Sequence, residues 1–245
     1  MLDLMPVLLM LLFSLALSVG TATIVLVARR ARLRPRARRP RQQEPPPVCT
    51  HTCFLRRPAA WLAIKSRSLL AVQSALGMRH TKPCPLLQGL AGEEKLFICP
   101  PVKGWILVTG SGLPDPSDDV DACFRFLVEL SRKLGHVQYF SASHMLYHHA
   151  WVRADAGRIV RAYAWAGRTL WRQGERTQAE NELGVKCFGY TEPSERSLFG
   201  QPDLIAMNVD KVPLLAARWS LDPARLEERA LDSERGIAGE PSLRY

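Results

Sequence analysis

The chain has 245 residues, of which 47% are hydrophobic and 23% charged, and its net charge is +10. The charge is unevenly placed: the first 60 residues hold ten arginines against only Asp3 and Glu44, so most of the excess lies there. The remaining part is close to neutral, which does not support a basic domain face of the kind that binds nucleic acid.

Residues Leu4 to Ala28 carry no charge. As a helix of about 25 residues they are long enough to cross a hydrocarbon core of roughly 30 Å. Arg29, Arg30, Arg32, Arg34, Arg36, Arg38, Arg39 and Arg41 follow directly. Basic flanks of this kind stay on the cytoplasmic side, so the short N-terminus is expected outside and the rest of the chain inside. A cleaved signal peptide fits less well. Asp3 stands where Lys or Arg is usual, the apolar run exceeds the usual 7–15 residues, and the positive charge lies after it. Residues 1–28 are therefore expected to be a single-pass anchor whose partner is the lipid bilayer. Ala16 and Gly20 form one small-residue pair, too little for a dimer seam.

Residues 29–60 read as an Arg- and Pro-rich linker with little to bury. Pro45, Pro46 and Pro47 favour local polyproline II. Cys49, His51 and Cys53 are a cluster of metal-ligand types, but the second half of a zinc site is missing from the sequence. No metal or cofactor is expected. In a reducing compartment the six cysteines are expected to be thiols. Cys99 and Cys123 fall on apolar faces.

Residues 61–245 are expected to form one α+β domain with a mainly antiparallel sheet. Trp61–Ile64 reads as a strand. A helix follows, capped by Ser66 or Ser68, carrying Leu69, Val72 and Leu76 and ended by Gly77. Residues 78–94 read as loop. Leu96–Cys99 and Trp105–Val108 are two strands of a buried sheet. The strongest helix signal comes next. Ser117 is its expected cap, Asp118, Asp119 and Asp121 favour its amino end, and Cys123, Phe124, Leu127, Leu130 and Leu134 recur at helical spacing before Gly135.

His136–Phe140 reads as a strand. Ala150–Ala154 and Arg158–Trp165 form a hairpin about Asp155-Ala156-Gly157, with Ile159, Arg161, Tyr163 and Trp165 on one side. Leu170-Trp171 adds a further strand. Thr177-x-x-Glu180 is a capping box. Two closing helices are expected, over 211–219 and 223–232, the second capped by Asp222 with Pro223 at its first position.

Signals for chemistry are sparse. Gly110-Ser111-Gly112 lies between a strand and a helix, but Asp115, Asp118, Asp119 and Asp121 follow, and acids at the helix start oppose phosphate binding. His144, His148 and His149, with Cys187 or Asp155, are the candidate nucleophile and base residues of a hydrolase. Nothing in their spacing makes them converge. Residues 215–226 have the apolar spacing of a helix-turn-helix, but Glu227 and Glu228 in its second helix oppose a phosphate-lined groove. The tryptophans and Tyr163 are expected in the core.

The strings Arg161-Ala162-Tyr163-Ala164-Trp165, Leu170-Trp171, Thr177-x-Ala179-Glu180 and Ala217-Arg218-Trp219-Ser220-Leu221-Asp222-Pro223 resemble a family of uncharacterised bacterial proteins of unknown function. The resemblance covers much of residues 61–240. It implies a globular domain and a bacterial source, and so an inner-membrane location. It carries over no catalytic or binding residue. The expected function is to present a cytoplasmic domain that binds or regulates a protein partner. A hydrolase-like enzyme and a membrane-tethered DNA-binding regulator using 211–232 are the alternatives.

Overall fold

Several strands of this chain lack the alternation of a half-exposed sheet. Trp61, Leu62, Ala63 and Ile64 are all buried, as are Ile106, Leu107, Val108 and Thr109. Unbroken apolar runs are what a strand needs when both of its faces are covered, and the architecture supplies that cover. The computed structural model describes residues 58–191, 206–226 and 235–242. The segment expected to be an anchor, the arginine cluster and the Cys49/His51/Cys53 group lie outside them. Among the described residues no helix is long and apolar enough to cross a membrane.

The strands are β1 (Ala60–Ile64), β2 (Met78–Pro85), β3 (Leu96–Ile98), β4 (Ile106–Thr109), β5 (His136–Ser143), β6 (His148–Asp155), β7 (Arg158–Trp165), β8 (Thr169–Gln173) and β9 (Arg235–Pro241). They form one sheet in the order β2-β9-β3-β4-β1-β5-β6-β7-β8. Every adjacent pair is antiparallel. Helices α1 (Leu69–Ala75) and α3 (Val120–Leu134) cover one face, where Leu62, Ile64, Val108, Cys123, Leu127 and Val152 pack together. Helices α2 (Leu86–Leu90), α4 (Gln178–Glu182) and α5 (Ala206–Trp219) cover the other. That second core holds Trp61, Phe140, Trp151, Tyr163, Val209, Val212 and Leu215. The mixed α+β reading with a mainly antiparallel sheet holds, with layers on both faces.

Local signals act where the sequence places them. The Ser68 side chain accepts from the Ala71 amide at the start of α1, and Gly77 ends that region with φ +60°. Gly135 closes α3 with φ +81°. Ala156 and Gly157 both take left-handed φ between β6 and β7, as a tight hairpin turn requires. Thr177 and Glu180 close both halves of the capping box.

Five expectations change. Residues 78–90 are a strand and a short helix rather than loop. β2 is an edge strand, mostly exposed and carrying Pro83 and Pro85, and its partner β9 lies some 150 residues later. Neither strand has a local apolar pattern to announce it. The cap of α3 is Asp119, whose carboxylate accepts from the Ala122 amide, while the Ser117 amide donates to Asp115. Phe124 stays part-exposed against the edge of Trp171. Ile159 faces the α1/α3 core while Arg161 faces the α5 core, because a bulge at Val160 inserts one residue and flips the strand. Finally, Pro223–Arg225 is a single 3-10 turn and Leu226 is already extended (ψ 140°), so no helix runs on from Asp222 and the helix-turn-helix pattern is not formed over 215–226.

Candidate functional site

The three candidate histidines do not converge on a nucleophile. His144 sits in the exposed β5–β6 turn, its Nε2 2.9 Å from Asp210 Oδ1. His148 lies half-buried at the start of β6. His149 is buried, with Nδ1 3.2 Å from the Tyr147 carbonyl and Nε2 3.2 Å from Asn208 Nδ2. Asn208 Nδ2 also donates to the Lys186 carbonyl, and its Oδ1 accepts from the Lys186 amide. A carbonyl at one ring nitrogen and an amide N–H at the other require a neutral imidazole with its proton on Nδ1. Its lone pair is therefore engaged in pinning residue 186 and α5 to the sheet.

Burial, followed by the neighbouring His148, lowers the His149 pKa to about 4, against a smaller upward pull from the Tyr147 carbonyl. A histidine that titrates near 6.5 when unfolded but stays neutral in the fold contributes stability that is complete above pH 6.5. That contribution is lost as pH falls towards 4, by up to about 3 kcal/mol. Urea unfolding between pH 4 and 7 checks this. The slope in that window should flatten in His149→Gln, whatever the variant's absolute stability.

Cys187 is held elsewhere. Its Sγ accepts from Arg161 Nη2 at 3.3 Å, and burial raises its thiol to about 11 despite that guanidinium. Asp155 faces His136 at 3.9 Å, none of the three histidines singled out above. Two amides of the Gly110–Gly112 turn are consumed as well: Ser111 donates to the Glu94 carbonyl and Gly112 to that of Lys95. Among the described residues no group of three or more metal-ligating side chains gathers.

The sequence conceals a row of polar side chains on the α5 face of the sheet. Gln138, Arg153 and Arg161 stand side by side across β5, β6 and β7. Arg161 is saturated. Its Nε and Nη2 donate to the fully buried Glu180, Nη1 reaches the carbonyls of Ala162, Gln173 and Gly174, and Trp151 Nε1 completes the carboxylate at 2.8 Å. Burial pushes the Glu180 carboxyl up, but Arg161, the Thr177 amide and Trp151 outweigh it and hold it below its ordinary value. This end of the row is closed and structural.

The other end is open. A cavity of about 470 Å³ lies at one end of the central strands beside the carboxyl end of α5, lined by Lys65, Trp105, His136, Gln138, Arg153, Asp155, Arg218 and Trp219. The Arg153 guanidinium lies 5.2 Å over the Trp219 ring. Trp105 meets His136 edge-on at 5.6 Å. Gln138 Nε2 donates to the Trp219 carbonyl (3.3 Å) and lies 3.0 Å from His136 Nε2. The carbonyl fixes the amide orientation, since a flipped Gln138 would set oxygen against oxygen. Gln138 Oε1 is thereby left without a partner although the residue is 1% exposed. Arg153 Nε and Trp219 Nε1 are likewise buried with no acceptor. Among the described residues no carboxylate pairs with Lys65 or Arg153, whereas Arg218 pairs with Glu182. Burial, then the Arg153 and Lys65 charges, lower the His136 pKa against Asp155.

Two of the six tryptophans thus line a cavity rather than fill the core. The signal available in sequence was polar: Gln138 and Arg153 interrupt the apolar runs Val137–Phe140 and Ala150–Ala154. No family model, no curated protein and no solved structure matches this chain.

Proposed function

We propose that the chain is a membrane-anchored binding protein. Residues 1–28 hold it in the bilayer, Arg29 to Arg41 lie against the cytoplasmic leaflet, and the domain that follows recognises a protein partner. The observation that carries this reading is the cavity beside Trp219. Native interiors pair nearly all buried polar atoms, and three unpaired ones concentrated at one cavity mark a surface that is completed by something else. Two cations that have no carboxylate partner among the described residues, and two indole walls, fit recognition, and tryptophan and arginine are the usual anchors of binding surfaces.

The test has two parts. Reporter fusions after Arg41 and after Tyr245 should both read cytoplasmic. A photocrosslinker at position 65 of the full-length chain, in membranes of its own source, should give one discrete protein adduct that Trp219→Ala weakens. An external C-terminus, or an adduct indifferent to Trp219, overturns the reading.

A further inference from the structure

We propose that the cavity beside Trp219 captures a carboxylate that carries an N–H or O–H donor on its neighbouring carbon, the chemistry shared by a polypeptide C-terminus and a free amino or hydroxy acid. The proposal rests on the binding role above and names what is bound. The unpaired atoms set the requirement. Arg153 Nε and Trp219 Nε1 are donors lacking an acceptor, and Gln138 Oε1 is an acceptor lacking a donor. An anion alone satisfies the first two and leaves the third. A cation satisfies the third and is repelled by Lys65 and Arg153. A carboxylate with an adjacent donor satisfies all three.

The electrostatics agree in sign. Lys65, Arg153 and Arg218 line the cavity against the single carboxylate of Asp155, which is 57% exposed. The carboxyl end of α5 contributes a partial negative charge, but Gln138 already donates to the Trp219 carbonyl there. The flat walls of Trp105 and Trp219 suit a planar carboxylate and the chain behind it. All three atoms are closed off in this arrangement, with the guanidinium resting on the indole. Capture therefore requires Arg153 to turn off Trp219 towards the ligand, which makes tryptophan emission a direct reporter.

The experiment uses the full-length chain in nanodiscs of neutral lipid. The probes are acetyl-trialanine with a free C-terminus, the same peptide as its amide, lactate, and inorganic phosphate. The free-acid peptide should change tryptophan emission saturably and should raise the His136 pKa, read from its ring-proton shifts. Amidation should weaken binding about tenfold or more, the effect expected for losing a charge-assisted hydrogen bond. Arg153→Gln should do the same. Lys65→Gln, at an exposed position outside the strands, should weaken binding several-fold without touching the fold. Binding of both peptide and lactate supports the proposal with a free acid as the source. Binding of the peptide alone supports it with a chain terminus. Equal binding of the amide, preference for phosphate, or no response to any probe overturns it. If position 65 crosslinks a partner while no probe binds, the carboxylate proposal fails and the partner reading stands. If the domain proves external yet the peptide binds, the reverse holds.

Discussion

Glu180→Ala should destabilise the domain by about 3–5 kcal/mol, the cost of leaving a buried guanidinium without its carboxylate. Glu180 is the N3 residue of its own helix and returns a hydrogen bond to the Thr177 amide at 2.7 Å. The same two oxygens take Arg161 from β7 and Trp151 from β6. One side chain therefore ties α4 to two strands, and its removal takes an acceptor from three residues at once, Arg161, Trp151 and Thr177. The pair itself is a different matter. Desolvating two charges consumes most of what their attraction returns, so the double variant Arg161→Met, Glu180→Leu should recover most of the loss. Urea unfolding followed by tryptophan emission, over the four members of the cycle, measures both numbers. A double variant as unstable as Glu180→Ala would show that the hydrogen bonds of Arg161 to the Ala162, Gln173 and Gly174 carbonyls matter more than the charge pair.

Gly174→Ala should cost about 3 kcal/mol, because two penalties fall on one atom. Gly174 has φ +71°, and a Cβ there would stand 2.1 Å from the Val160 carbonyl oxygen. Backbone cannot swing aside as a side chain can, and Val160 is itself the bulge that turns Arg161 inwards. Gly167 is the control. Its φ is +73° but its Cβ would meet nothing within 4 Å, so Gly167→Ala should show only the left-handed backbone term of about 1 kcal/mol. The difference in urea midpoint between the two variants isolates the close approach. Equal effects would mean that the segment following β8 relaxes without disturbing Arg161.

Much of the domain was legible because its signals are local. A cap, an apolar stripe at 3.6-residue spacing and a glycine stop act within one helix, and α3 forms where they say, with its cap two residues later than expected. The Thr177–Glu180 capping box and the Ala156-Gly157 turn need only their immediate neighbours. Apolar runs in β1, β3 and β4 announced buried strands for the same reason.

What the sequence could not show depends on partners far along the chain. β2 and β9 are strands because each pairs with the other, and an edge position relieves β2 of any need for an apolar face. Read locally, 78–85 is a proline-bearing polar loop, and 223–232 is a capped helix until the extended Leu226 ends it. The side on which Arg161 points was likewise undetermined, since one inserted residue in the ladder reverses it. The cavity is the extreme case. Gln138, Arg153 and Trp219 are separately an interruption of a strand, a strand charge and a core aromatic. The sequence by itself determined the charge separation, the central strands and the capped helices, the last two through signals that act a few residues apart. Only the tertiary structure decided that, among the described residues, Arg161 has a carboxylate partner and Arg153 has none, because pairing depends on which carboxylate the packing of α4 and α5 brings over each strand.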